Sequence, residues 1–414
     1  MKRLRAMLCA LLAGALLAGC AVQPRTDDKQ GGGAAVDLTK YAAREAAYPA
    51  YPHEPRYEDY FDENGEGDWD AYMAAEDEYM AAMQKLGKGR LNQESAAPVL
   101  AFADRTAGAI FADSENRVYS PISLYAALAM LTEVTDGGTK RQVMDLLAAD
   151  DAETLRQQIK DLWIGVYTDD DQSVCRLANG AFLRENAEVK QEAVDTLADW
   201  HFASTYRVPM GTEEADKAIA GWLNQNTGGL LSEETGNIRT DGNDLLRLYN
   251  TIYYKSGWQD AFKSSQTKQD TFTAADGAVQ TVDFMHRTES GGYRKGEGYT
   301  AASRPLNYGR MVFVLPDESV TPESLLQRQG FLAELTGDYN AAELVWSVPK
   351  FDVKSSTELN EVLQALGVTD AFDMTEADFT PLTDNGAFLS SAMQAARVKI
   401  DEEGVEAAAY TELV

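Results

Sequence analysis

Glu402-Glu403-Gly404-Val405-Glu406-Ala407-Ala408-Ala409-Tyr410-Thr411-Glu412-Leu413-Val414 follows a strand-like run, Ala396-Arg397-Val398-Lys399-Ile400, across two acids and a glycine. Read with a period of two, Val405, Ala407, Ala409, Thr411 and Leu413 share one face and are small or apolar. Glu406, Ala408, Tyr410 and Glu412 share the other, an outward face mostly polar or tolerant of water. That alternation predicts a half-buried strand. Alanine is a poor strand former, however, and Ala and Glu are both good helix formers. The same residues therefore also read as an Ala-rich helical or frayed end. A segment able to be a strand without being committed to it has the character of a switch, and the residues upstream decide between the two readings.

The 414 residues suffice for two or three average domains, or for one large domain once a leader and a linker are set aside. A hydrophobic content of 44% supports a sizeable core. The net charge of −29 argues against nucleic acid as a partner, because counterion release needs a cationic face.

Met1-Lys2-Arg3-Leu4-Arg5 is a basic start, followed by an apolar stretch from Ala6 to Leu17 that is too short to span a membrane. It ends in Leu17-Ala18-Gly19-Cys20, which resembles the bacterial lipobox. By that resemblance residues 1–19 are a signal peptide and Cys20 is lipidated. The mature protein is then exported and anchored at the bacterial cell surface, each buried acyl methylene contributing about 0.8 kcal/mol. With Cys9 in the leader and Cys20 acylated, Cys175 has no cysteine to pair with, and its strand-like surroundings predict a small buried thiol.

From residue 20 to 95 the composition turns to Gly, Asp, Glu, Tyr and Pro, with Gly31-Gly32-Gly33, Tyr48-Pro49 and Tyr51-Pro52 as breakers. This stretch predicts an acidic tether. Within it Tyr72-Met73-Ala74-Ala75 recurs as Tyr79-Met80-Ala81-Ala82, a spacing that predicts a short helix. Residues 96–414 read as one α+β domain, helices mainly first and strands later, with mostly antiparallel sheets. Val99–Phe111 is an expected helix, Tyr119-Ser120-Pro121 opens another closed by Gly137-Gly138, and Thr139 is the expected cap of a third through Leu147. Expected strands cover Leu177–Leu183, Leu246–Tyr254, Arg310–Leu315 and Leu344–Val348.

Chemistry-bearing motifs are sparse. His53, His201 and His286 are isolated from one another and from any ligand-like cysteine spacing, so no metal site is expected. There is no phosphate loop and no Gly-x-Ser-x-Gly turn, so neither a catalytic residue nor a cofactor is expected.

Several segments in order resemble one family, the serpins. They are Tyr119-Ser120-Pro121-Ile122-Ser123 with Ala127-Leu128-Ala129-Met130-Leu131, and Asn250-Thr251-Ile252-Tyr253-Tyr254-Lys255-Ser256-Gly257-Trp258 with Phe262, Thr267 and Phe272. Val348-Pro349-Lys350-Phe351 with Leu366-Gly367-Val368-Thr369-Asp370-Ala371-Phe372 and Ala377-Asp378-Phe379 follows, and then Asp401-Glu402-Glu403-Gly404-Val405-Glu406-Ala407-Ala408-Ala409. The resemblance implies a serpin fold and an irreversible inhibitor, not an enzyme. A serine or cysteine protease would attack a loop beyond the hinge, residues 402–411, and the hinge would then insert as a new central strand. Loop insertion is an established form of strand addition and stored strain. Each ladder hydrogen bond gained contributes roughly 1 kcal/mol. A buried unpaired charge costs several kcal/mol, so the inward face must be small.

The resemblance further implies gate roles. Ser120, Ser123 and Asn250 form a polar cluster under the sheet, with Gln394 standing where the family usually has a histidine, and Trp258 lies where insertion begins. Gly404 is expected to permit a backbone turn. By family pattern the scissile bond lies beyond Val414, so the chain is expected to be truncated within the reactive loop and to lack C-terminal strands. A monomer is expected. The alternative is a non-inhibitory surface lipoprotein of the same fold, acting as a binding module.

Overall fold

A computed structural model describes residues 36–49, 51–52, 54–62, 65–87, 93–113, 115–170, 172–274 and 277–414. The expected leader, Cys20 and His53 lie outside the described residues.

The larger of two sheets is eight-stranded. Its order is β1 (Ala42–Arg44), β4 (Ala203–Val208), β3 (Ser173–Arg184), β5 (Leu246–Gly257), β13 (Gly404–Leu413), β12 (Ala392–Ile400) and β11 (Phe351–Glu358), with β2 (Thr168–Asp169) on β3. All its pairs are antiparallel except β3 with β4. The smaller sheet runs β10 (Asn340–Pro349), β7 (Val279–Gly296), β8 (Tyr299–Pro305) and β9 (Arg310–Pro316), with β6 (Lys268–Thr273) on β7.

Helix α3 (Pro121–Glu133) explains one face of the large sheet. Ser120 caps it, its side chain accepting from the Ser123 amide, and Pro121 sits in the first turn, where no amide hydrogen is needed. Residues 123–133 are buried all round, as expected of a helix enclosed by other elements. Around it pack α2 (Gln93–Ile110), α4 (Gly137–Leu147), α5 (Ala152–Val166) and α6 (Gln191–His201), and with the sheet they form the main apolar core. The opposite face is covered by α7 (Glu213–Asn226), which brings Ile219, Trp222 and Leu223 onto Phe182, Tyr249 and Tyr253. The strands between α3 and α7 are therefore buried on both sides. Short helices complete the body: α8 (Ser232–Thr235) beside α7, α9 (Pro322–Leu326) and α10 (Phe331–Leu335) against the smaller sheet, and α11 (Asn360–Ala365) on α2.

The expected helices and strands are present with shifted bounds: the strands extend further, whereas α3 stops at Glu133, short of Gly137-Gly138. Helix α4 differs at its start: it begins at Gly137 after Asp136, so Gly137-Gly138 opens it instead of closing its predecessor, and Thr139 lies inside it. The repeated Tyr-Met-Ala-Ala unit lies in α1 (Trp69–Leu86), capped by Asp68. Cys175 is buried.

Part of the expected spacer, residues 36–49 and Tyr51, docks on the body. Strand β1 extends the large sheet at β4. Arg44 pairs with Asp195 and Asp199. Val36 lies on Gly221 of α7, where a Cβ would stand 1.9 Å from a Val36 methyl. Tyr48 stacks 5.4 Å from Trp163, and Tyr51 3.6 Å from Tyr167. Glycine, proline and acid content pointed to a spacer, but tyrosines bury large ring areas at low conformational cost, and here they outweigh it.

Candidate functional site at the centre of the large sheet

The segment expected to be a hinge forms β13, in the middle of the larger sheet. Strand β13 pairs along its length with β5 on one side, from Gly404 opposite Gly257 to Leu413 opposite Leu248. On the other side it pairs with β12, from Val405 opposite Ile400 to Leu413 opposite Ala392. Every main-chain polar group of an ordinary strand finds a partner in such a position. The Ala-rich sequence therefore forms a strand because two neighbours supply the ladder, not because of its own propensity.

The two faces meet different surroundings. Ala409, Thr411 and Leu413 are buried on the α3 side, and Val405 packs with Trp258, Phe262 and Ile400 at the end where the strand enters. On the opposite face Ala408, Tyr410 and Glu412 are 3%, 1% and 6% exposed. This corrects the expectation of an outward face in contact with water: Ala408 and Tyr410 belong to the apolar cluster of Tyr249, Leu231 and Trp222. Glu406 is half-buried and accepts from the Tyr253 hydroxyl at 2.8 Å.

Beneath the strand lies the polar cluster expected from the sequence. Thr411 Oγ1 is 2.9 Å from Ser123 Oγ and accepts from Gln394 Nε2 at 2.9 Å. Gln394 also accepts from the Ser120 amide at 2.7 Å and donates to the Ser120 carbonyl at 3.0 Å. Gln394 thus fastens β12, β13 and the start of α3 to one another. Ser120 acts through its backbone and as the helix cap. Asn250 turns its amide away from this group, donating to Asn179 Oδ1 at 2.7 Å, and Asn179 in turn donates to the His201 carbonyl. The bonds thus continue from β5 through β3 to the end of α6.

At the entry end the Trp258 indole donates to the Asp401 carbonyl at 2.9 Å, and the Trp258 amide to the Glu403 carbonyl at 2.9 Å. Glu402 accepts from Lys350 Nζ and Thr267 Oγ1, each at 2.7 Å. Burial alone would raise the Glu402 carboxyl, but the bonds from Lys350 and Thr267 outweigh it and hold the group below its ordinary range. Glu403 is exposed. Gly404 opens β13 directly after the bend at Glu402-Glu403, with φ outside the left-handed region. It is needed for contact distance: a Cβ there would lie 2.2 Å from the Ser256 carbonyl oxygen.

Three parts of the site escape sequence reading. Lys350 stands in the Val348-Pro349-Lys350-Phe351 segment, a charge at the junction of β10 and β11 that could have been noticed. Arg247 interrupts the apolar run Leu246-Arg247-Leu248-Tyr249, and it lies against Glu412. Glu133 ends the apolar α3 and is buried against Arg156 and His201. Burial pushes the Glu133 carboxyl up, yet the bonds from His201 and Arg156 prevail and bring it down to about 2.

Comparisons with known proteins agree with this geometry. Among relatives, Serpin-Z1C of Triticum aestivum is 27% identical over 317 residues, covering 72% of this chain and 79% of the relative. Plasminogen activator inhibitor 1 of Neovison vison is 26% identical over 316 residues, covering 72% and 78%. Among solved structures, the thermophilic serpin Tengpin in the latent state superposes with a TM-score of 0.72 at 24% identity, covering 78% of this chain and 89% of that one. Cleaved Serpin 42Da gives 0.69 at 24% identity, with 78% and 89% covered. The family profile described as Serpin (serine protease inhibitor) matches residues 100–414, and the chain belongs to the serpin family.

Proposed function

We propose that this protein is an irreversible inhibitor of serine or cysteine proteases that works by inserting residues 404–413 into its large sheet. The observation that carries this reading is β13 itself, a ten-residue hinge segment paired on both edges and buried on most of both faces. Relatives solved in latent and cleaved states share the fold. In the proposed reaction a protease cleaves the reactive loop adjoining the hinge and becomes an acyl-enzyme. Insertion then competes with hydrolysis of that ester. Roughly ten ladder bonds at about 1 kcal/mol each make the inserted form strongly favoured. Thr411 docks on Ser123 and Gln394 only when the strand is in place, so the polar cluster acts as the latch of insertion. Glu402, held by Lys350 and Thr267, keeps the entry end in position.

The test is incubation of the protein, carrying the loop that follows the hinge, with a panel of serine and cysteine proteases. A covalent complex that survives SDS supports the reading. Cleavage of the loop without any such complex would leave the non-inhibitory binding module. Export and anchoring through Cys20 belong to the same proposal: labelled fatty acid should enter the wild-type protein and not the Cys20→Ser variant.

A further inference from the structure

We propose that Arg247 and Tyr249 form a carboxylate-binding notch in the edge of β5 that reads Glu412 and sets the register of the inserting strand. The inference rests on the insertion reading above and adds a specificity to it.

Arg247 is held by partners outside β13 as well as by Glu412. Its Nε donates to Asp244 Oδ2 at 2.8 Å, and its Nη2 donates to the same oxygen at 2.6 Å and to the Arg239 carbonyl at 2.9 Å. None of these partners lies on β13. Its remaining nitrogen, Nη1, donates to Glu412 Oε1 at 2.5 Å. The Tyr249 hydroxyl donates to that same oxygen. With β13 in place Arg247 is 7% exposed and Tyr249 fully buried, so the two form a dry donor pair around the Glu412 carboxylate.

The strand needs such a reader. A two-residue slip keeps each side chain on its face, and Ala407, Ala408 and Ala409 make nearly the same contacts after slipping. In the observed register Glu412 lies opposite Tyr249 and Tyr410 opposite Thr251. A slip in one direction brings Tyr410 opposite Tyr249, and in the other Val414. Neither carries a carboxylate. The other acid on that face, Glu406, stands near Tyr253 and would need three such slips to reach the notch. On the α3 side Thr411 supplies only a neutral hydroxyl key, whereas the notch pairs opposite charges. The ligand class is therefore an acidic side chain presented by an extended strand.

Disulfide trapping reads the register directly. In a chain lacking Cys9, Cys20 and Cys175, the pair Ala409→Cys with Ile252→Cys reports the observed register, because these positions lie opposite each other. The pair Ala407→Cys with Ile252→Cys reports a two-residue slip. The chain with Glu412 is expected to link the first pair at least tenfold more than the second. Glu412→Leu should lower that ratio at least tenfold, and Glu412→Gln, which keeps the size of the side chain, should lower it by a smaller factor. An unchanged ratio in either soluble variant overturns the proposal. If neither pair links in the chain that retains Glu412, the strand is not in the sheet, and the insertion reading itself fails.

Discussion

Replacing Ala409 by glutamate places a carboxylate where the sheet has room for a methyl group. Ala409 is 2% exposed, flanked by Ile252 on β5 and Ala396 on β12. The nearby polar atoms of Ser123, Gln394 and Asn250 are engaged with Thr411, Ser120 and Asn179. The new carboxylate thus has no cationic partner in the sheet, and burying it costs several kcal/mol even after relaxation. Set against a ladder contribution of roughly 10 kcal/mol, about 3–5 kcal/mol leaves the inserted form favoured at equilibrium. The rate is more sensitive. If about 3 kcal/mol of that cost is felt as the residue passes between β5 and β12, insertion slows by roughly two orders of magnitude. Hydrolysis of the acyl-enzyme then overtakes it, and Ala409→Glu should be consumed as a substrate. The assay is the yield of SDS-resistant complex against cleaved protein at fixed protease, with Glu403→Gln, at an exposed position, as the control. An undiminished yield from Ala409→Glu would refute the requirement for a small side chain.

Thr411→Val keeps shape and removes the hydroxyl that joins Ser123 and Gln394, so the inserted form should lose about 1–2 kcal/mol in urea unfolding; an unchanged midpoint would show that the latch is idle. Gly404→Ala drives a Cβ against the Ser256 carbonyl, which cannot yield without moving β5. Overpacking of this kind costs roughly 1–3 kcal/mol, and hydrogen exchange should quicken at Val405 first. For pH, Glu133 is depressed from 4.5 to about 2. A depressed carboxyl contributes stability above its unfolded value, so that contribution, on the order of 3 kcal/mol, fades as pH falls from about 4.5 toward 2. Glu133→Gln should be less stable at neutral pH and show a flatter acid limb in thermal melts.

The small face of the hinge was legible in period-two patterning and the start of α3 in Tyr119-Ser120-Pro121, while the neighbourhood of Ser120, Ser123 and Gln394 was legible only through the family resemblance. Burial of the second face was not legible. Ala408 and Tyr410 look suited to water until they are packed into the cluster of Tyr249, Leu231 and Trp222, residues more than 150 positions away, and Glu412 until it meets Arg247 and Tyr249. The close packing at Gly404 was hidden for a similar reason: a glycine signals freedom of φ or closeness of approach, and only the neighbouring Ser256 shows the second. Compositional rules likewise hid the docking of residues 36–49 and Tyr51, since they weigh breakers and charge and do not see Trp163 or Tyr167 waiting for an aromatic ring.

The short strand β1 has a bearing on handling the molecule. It satisfies outer amides and carbonyls of β4 that would otherwise stand open as a template for a foreign chain. A protease that trims the first fifty residues, or an expression design that begins at the family boundary, would strip that selvedge. The shortened protein should then clump through its frayed margin, whatever the state of its hinge.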